Sequence, residues 1–438
     1  MFGASGVLAA ILAATGAAHG DPKREVPDYD GRGNPEADAG SWLLWIPRIA
    51  LSPLYLVNEY ALRRPLGAVV RHAERDRWAD SVVHLFRFGE GGKSLIIPTA
   101  AFDLGVLPSV GVDYTGDDLL AAGNAVTVHV ATWGPRWTDA AVADRVAIDD
   151  ADSVQARVAL ERSQDNLFLG IGPEATRDTQ ARYGRLRLEG GAGYRRSVTD
   201  ASRIDVEAGV ARTSFLDGDC CGDPSLDDRI ASGAVMAPPG YRETYATGFA
   251  SAELTLDTRR PRPQPGSGGY LHLRARPSFD LHGSRSWIRY GGVVGGALDV
   301  TGHRRTFQLQ LALDFVDAMA GGPIPFTEDP VLGGDVMPGF VTGSMTGHST
   351  AAAQLGYSWP VWLGLDARTR VTVGNAFGDD LDGLSPRQLR LSGDVGLTTS
   401  TIGDHGFEIL VGLGTETFAR GAEVTSVRVA IGSRRSLR

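Results

Sequence analysis

Apolar and polar residues alternate along most of the chain beyond residue 81. The clearest run sets Phe307, Leu309, Leu311, Leu313 and Phe315 against Gln308, Gln310, Ala312 and Asp314. Side chains two apart share one face of a strand, so this run predicts a strand with one apolar and one polar face. Similar runs set Val126, Val128 and Val130 against Thr127 and His129, and Leu186 and Leu188 against Arg185, Arg187 and Glu189. Two more set Ile204, Val206 and Ala208 against Asp205 and Glu207, and Leu271, Leu273 and Ala275 against His272, Arg274 and Arg276.

A soluble sandwich alternates too, so length has to decide. Several runs last about ten residues, as a tilted transmembrane strand requires, against ~5–6 in soluble strands. The pattern therefore predicts an all-β transmembrane barrel, with Leu and Val toward lipid and residues such as Arg274 and Arg276 toward a wet lumen. About 16 antiparallel strands are expected, near 81–88, 93–103, 108–115, 123–133, 152–162, 181–195, 202–217, 245–258, 268–280, 286–300, 304–318, 350–360, 366–378, 387–399, 405–417 and 422–432. With the first hairpin loop outside, the long connections 217–243 and 319–350 are extracellular. The links 301–303, 361–365 and 400–404 are then short periplasmic turns. One link, 134–151, breaks the rule, because it falls on the periplasmic side and is long.

The N-terminal part reads differently. Residues 1–20 hold the apolar run Val7 to Leu12 and end in Ala17-Ala18-His19-Gly20, as a signal peptide with a small-residue cleavage site does. No Lys or Arg precedes the run, which leaves an Ala-rich tail as the alternative. Residues 21–80 read as a polar linker followed by a short amphipathic helical segment with Trp42 and Trp45, Ser52-Pro53 as N-cap and N1, and a restart at Pro65. That segment is either an interfacial helix, a plug at the periplasmic mouth, or an ordinary packed helix pair. The barrel then occupies 81–438.

Composition agrees with a turn-rich β protein: 57 glycines against 2 cysteines and 5 methionines, with 22% charged residues. No segment approaches the ~18 consecutive apolar residues of a transmembrane helix. A formal net charge of −9, without basic clusters among aromatics, argues against a nucleic-acid partner. Cys220 and Cys221 are adjacent and fit neither a metal site nor a disulfide framework, leaving a vicinal disulfide or two thiols.

Candidate chemistry is sparse. Phe88-Gly89-Glu90-Gly91-Gly92-Lys93-Ser94 ends like a phosphate-binding loop, but the first glycine of that motif falls on Arg87, and no helix follows. A tight hairpin turn is the expectation. The histidines are scattered without the i, i+4 spacing of paired ligands, and no G-x-S-x-G elbow occurs. Neither a metal, a cofactor nor a catalytic site is expected, although a lipase or protease barrel could assemble its residues from distant strands.

From about Asp165 onward the chain resembles the bacterial surface antigen family, the barrel of BamA/TamA-type outer-membrane assembly factors. Asn166-Leu167-Phe168-Leu169-Gly170-Ile171-Gly172-Pro173 is similar to its aromatic-G-I-G-N segment. Asp257-Thr258-Arg259, with Pro265-Gly266 and Gly268-Gly269-Tyr270-Leu271, is similar to its D-T-R hairpin. Gly333, Gly334, Met337, Pro338, Gly339 and Phe340 stand where the family has an extracellular loop that folds inward and ends in R-G-F or R-G-Y.

The resemblance implies an outer-membrane protein taking part in insertion or translocation of proteins or lipids, through a barrel whose first and last strands pair weakly. Its partners would be outer-membrane lipids, client proteins and accessory assembly proteins. The terminal strand, with Val427, Val429 and Ile431 on one face, would form that seam, while Gly339 and Phe340 would sit at the tip of the inward loop. Three departures stand out. About sixty residues between signal and first strand leave no room for the family's periplasmic domains. Pro338 replaces the loop arginine and cannot supply its charge-assisted hydrogen bonds. The chain also ends without a terminal aromatic. The alternative function is a passive pore or solute transporter.

Overall fold

Strands that are apolar on one face and polar on the other can close on themselves, and this chain does so. The computed structural model describes residues 86–435, apart from 261–265, 301–304, 363–364 and 400–404. Sixteen long antiparallel strands form one barrel: β1 (Ser94–Asp103), β2 (Ser109–Asp117), β3 (Asn124–Thr132), β4 (Trp137–Ala147), β5 (Asp152–Phe168), β6 (Ala181–Thr199), β7 (Ser202–Leu216) and β8 (Tyr245–Asp257), followed by β9 (Gly268–Asp280), β10 (Ser286–Asp299), β11 (Thr306–Ala320), β12 (Ser349–Trp362), β13 (Leu365–Phe377), β14 (Arg390–Thr399), β15 (His405–Thr417) and β16 (Val424–Arg435). Each pairs with its neighbours in sequence, and β16 returns to β1. Closure leaves no full edge strand, which is what lets a sheet span a bilayer.

The wall inverts the burial of a soluble protein. Val110, Leu309, Val158 and Val210 are more than half exposed, whereas Asp113, Thr372, Ser392 and Arg428 are almost wholly buried. Lumen-facing side chains satisfy one another in ion pairs such as Arg276 to Glu189 at 2.8 Å and Arg370 to Asp394 at 2.9 Å. Outside, aromatic rings gather at two levels of β11. Phe307 packs with Tyr357, which stacks on Trp359, and eight residues further on Phe315 stacks on Tyr290. Eight residues rise roughly 26 Å along a strand, or about 20 Å along the normal at the usual tilt, the spacing of the girdles that bracket an apolar band.

Two expectations about the first strands need correction. Residues 81–85 of the expected 81–88 strand lie outside the described residues, and only Arg87–Phe88 forms a short strand, paired with the start of β1. The intervening glycines make the expected hairpin turn. Conversely, the supposed link 134–151 contains β4. Alternation hides it, because the neighbours Ala140 and Ala141 place alanine on both faces. With β4 restored, the connections 104–108, 169–180, 217–244 and 321–348 share one end, and the anomalous long periplasmic link disappears. The expected signal peptide, linker and amphipathic helical segment lie outside the described residues. Among those described, no helix is long and apolar enough to cross a membrane.

The long connections fold over their end of the barrel. A capped helix, Leu226–Ala231, packs Leu226 against Phe168, Tyr183 and Phe326. Cys220 and Cys221, whose state the sequence left open, are joined as a vicinal disulfide in the same connection.

Candidate functional site at the inward loop and seam

The connection between β11 and β12 turns into the lumen. Leu332, Met337, Phe340 and Met345 form a small apolar core with Ala352 of β12 and Ala376 of β13. These are the side chains that a polar wall would otherwise leave in water, so their clustering drives the loop inward. A two-residue pairing of Val331–Leu332 with Met345–Thr346 closes its neck. Gly333, at φ +120°, makes the turn beyond the neck, and a Cβ there would overlap the Val341 carbonyl oxygen.

At the tip, the Gly339 amide donates to Ser392 Oγ of β14 at 2.7 Å. The glycine lies so close to β15 that a Cβ would overlap the Leu413 carbonyl oxygen. The Phe340 ring covers Gly414 of the same strand. Gln354 of β12 donates to the Val336 carbonyl at 3.1 Å. Sequence placed Gly333, Gly334, Met337, Pro338, Gly339 and Phe340 together, and all six lie in this loop.

Pro338 offers no charge, but a guanidinium reaches the loop from the wall. Arg428, on β16 and 1% exposed, donates through Nη1 to the carbonyls of Gly334 at 3.1 Å and Pro338 at 3.3 Å. Its Nε and Nη2 grip the Asp103 carboxylate of β1, with Nη2 at 2.7 Å. One planar fork therefore ties the inward loop to both strands of the seam, a geometry that lysine could not match. Sequence reasoning missed Arg428 and Asp103. The available signal was that Arg428 falls between the outward Val427 and Val429, hence inside, but nothing in the pattern named its partners.

The seam itself is thin. β16 and β1 are in register only at Ala430↔Asp103, Ile431↔Phe102 and Gly432↔Ala101, whereas β1 pairs with β2 from Ser94↔Gly116 to Ala101↔Ser109. Beyond the register, the Leu104 amide donates to the Val429 carbonyl at 2.9 Å. The Ala100 amide reaches only the Ser433 hydroxyl, at 3.3 Å. Val427 and Ile431 face outward and Val429 is half-buried. The hairpin after β1 is held from the lumen as well: Arg182 donates to the Gly105 carbonyl at 2.7 Å, and Asp165 accepts from the Leu107 amide at 2.9 Å.

Asp257, Thr258 and Arg259 are not part of this assembly. Asp257 accepts from the amide and guanidinium of Arg259, whose side chain lies over the Tyr270 ring, and Thr258 donates to the Gly269 carbonyl. They brace the β8–β9 turn at the opposite end of the barrel.

Two neighbouring carboxylates set the pH behaviour of the loop's base. For Glu328, burial works against the charge, but Arg187 at 3.0 Å and the Tyr245 hydroxyl hold its carboxyl below the usual range. Asp329 is pushed up to about 7, mainly by burial, with Glu328 and Asp379 adding to the shift and His348 and Arg289 opposing it. Neither of its side-chain oxygens has a hydrogen-bond partner among the described residues. Between about pH 4 and 7 the docked loop keeps a proton that the released loop has lost, so docking weakens as pH rises through that window and levels off above it. Hydrogen exchange of residues 331–346 is accordingly expected to speed up from pH 5 to pH 8, after correction for intrinsic rates. Asp329→Asn should flatten the change, also in a His348→Gln background. An unaltered pH dependence in Asp329→Asn would show that another group controls it.

No protein-family model matches the chain, and no curated protein matches it by sequence. Solved structures do match. The fold is similar to BamA from Haemophilus ducreyi lacking POTRA domains 1-3, with a TM-score of 0.58 and 13% identity over 78% of this chain and 70% of that one. CdiB from Acinetobacter baumannii gives 0.48 and 9% identity over 78% of this chain and 59% of that one. CdiB from Escherichia coli gives 0.48 and 12% identity, over 77% and 62%. At such identities the first of these likenesses speaks to the fold alone.

Proposed function

We propose that this protein is an outer-membrane insertion or translocation barrel in which the inward loop and the β1–β16 seam work as one gate. The observation that carries the reading is the Arg428 fork, which holds Asp103 of β1 and the loop carbonyls from a strand joined to β1 over three residue pairs. Withdrawal of the loop takes two acceptors from the fork, and parting of the seam takes the third. Each movement therefore makes the other easier. The outward apolar face and its two aromatic levels suit a bilayer, and the partners are outer-membrane lipids, client polypeptides and accessory assembly proteins.

A passive pore would need no moving seam. The two readings separate when Ala101→Cys and Gly432→Cys, which are in register, are joined by oxidation in proteoliposomes. Insertion or translocation of an added unfolded polypeptide is expected to stop on oxidation and to return on reduction. Transport unaffected by the cross-link, or steady ion conductance as the only activity, would remove the gate reading.

A further inference from the structure

In β1 the backbone groups of even-numbered residues point to the seam. The Ala100 and Leu104 amides both reach β16, while Lys93 turns its carbonyl to Asp117, on the β2 side. Pro98 belongs to the even set, so the one β1 residue without an N–H carries that gap on the seam edge. Its ring is exposed on the outer face. The rest of this edge is divided. Ser94 is opposite Phe88 of the chain's own short strand, Ala100 is engaged by Ser433, and Phe102 is paired with Ile431. The Arg87↔Leu95 register also sets Ile96 opposite Phe86, so among the described residues Pro98 is the one even-numbered position of this edge with no strand residue opposite it. A strand added at this gap would find no N–H in it, and proline is a known device for blunting exposed edges.

Resting on the gate reading above, we propose that Pro98 closes the seam edge of β1 to strand addition. The seam can part, but β1 does not template an incoming strand. The clients of this barrel are therefore polypeptides or lipids that cross without pairing to β1, and barrel precursors that grow strand by strand on that edge are excluded.

The test uses the full chain in phosphatidylethanolamine–phosphatidylglycerol vesicles, with a benzophenone amino acid in place of Ile96 and a synthetic peptide of residues 424–438 as the strand probe. Folding of each variant is checked by heat-modifiable migration. The wild-type edge is expected to give little photo-adduct with the peptide. Pro98→Ala should raise it roughly fivefold or more, the ratio expected of one restored backbone hydrogen bond. Pro98→Val restores the same N–H with a strand-favouring side chain and should act alike. Equal adduct in wild type and both variants, whether high or absent, overturns the proposal. Seam opening is read separately in the Ala101→Cys, Gly432→Cys chain, so a failed transport assay leaves this result interpretable.

Discussion

Replacement of Arg428 by alanine is expected to release the inward loop and loosen the seam together. The substitution strips the Asp103 carboxylate of its guanidinium and leaves the Gly334 and Pro338 carbonyls without their charged donor. Removing one partner of a buried pair typically costs about 3–5 kcal/mol, because the remaining charge stays in a place built for two. Limited proteolysis from the long-loop side should then cut within residues 321–348 many times faster than in the wild type, and the unboiled gel band should unfold at lower temperature. Arg428→Lys should recover only part of the loss, since an ammonium cannot grip Asp103 and both carbonyls in one plane. Asp103→Asn combined with Arg428→Gln should be milder than Arg428→Ala, having no orphaned charge. If Arg428→Ala loosens neither loop nor seam, the fork does not hold the gate.

The second large effect is expected at Gly339. A β-carbon there would meet the Leu413 carbonyl oxygen, part of the wall backbone that cannot rotate away as a side chain would. Gly339→Val should therefore lift the loop tip off β15, break the 2.7 Å hydrogen bond to Ser392 and pull Phe340 from its seat over Gly414. Overpacking usually costs about 1–3 kcal/mol, and an unyielding contact places this site at the upper end. The barrel should still form, because Gly339 belongs to no strand. Normal heat-modifiable migration with a loop that has become protease-sensitive is the expected signature. Ser392→Ala removes the hydrogen bond without the clash and should give a weaker form of it. A Gly339→Val chain with a protected loop would mean that the tip does not rest against β15.

These effects indicate which parts of the molecule could be read from its sequence. The long strands were legible because a membrane barrel imposes an apolar outside and a wet inside. β11 shows both in the alternation of Phe307 to Phe315 with Gln308 to Asp314. β4 was not legible, since Ala140 and Ala141 carry no contrast between faces, and its omission reversed the sidedness of every earlier loop. The inward loop was picked out only by its resemblance to a known family's loop, since its glycines alone would equally suit a surface loop. Its anchor was not, because Arg428, which donates to the Pro338 carbonyl, lies some ninety positions away on another strand. Pairings between strands distant in sequence follow from closure of the barrel, which period-two alternation does not encode.

Label-to-label distance across the seam tests the central claim most directly. Spin labels at the outward positions Val112 on β2 and Val411 on β15 flank the β1–β16 pair without touching the fork or the loop. In proteoliposomes the gate account predicts one dominant short distance for the native fork and a second, longer population in Arg428→Ala, accompanied by the same population in Gly339→Val. A single unchanged distance in all three chains would contradict the account, because loop and seam would then move independently or not at all.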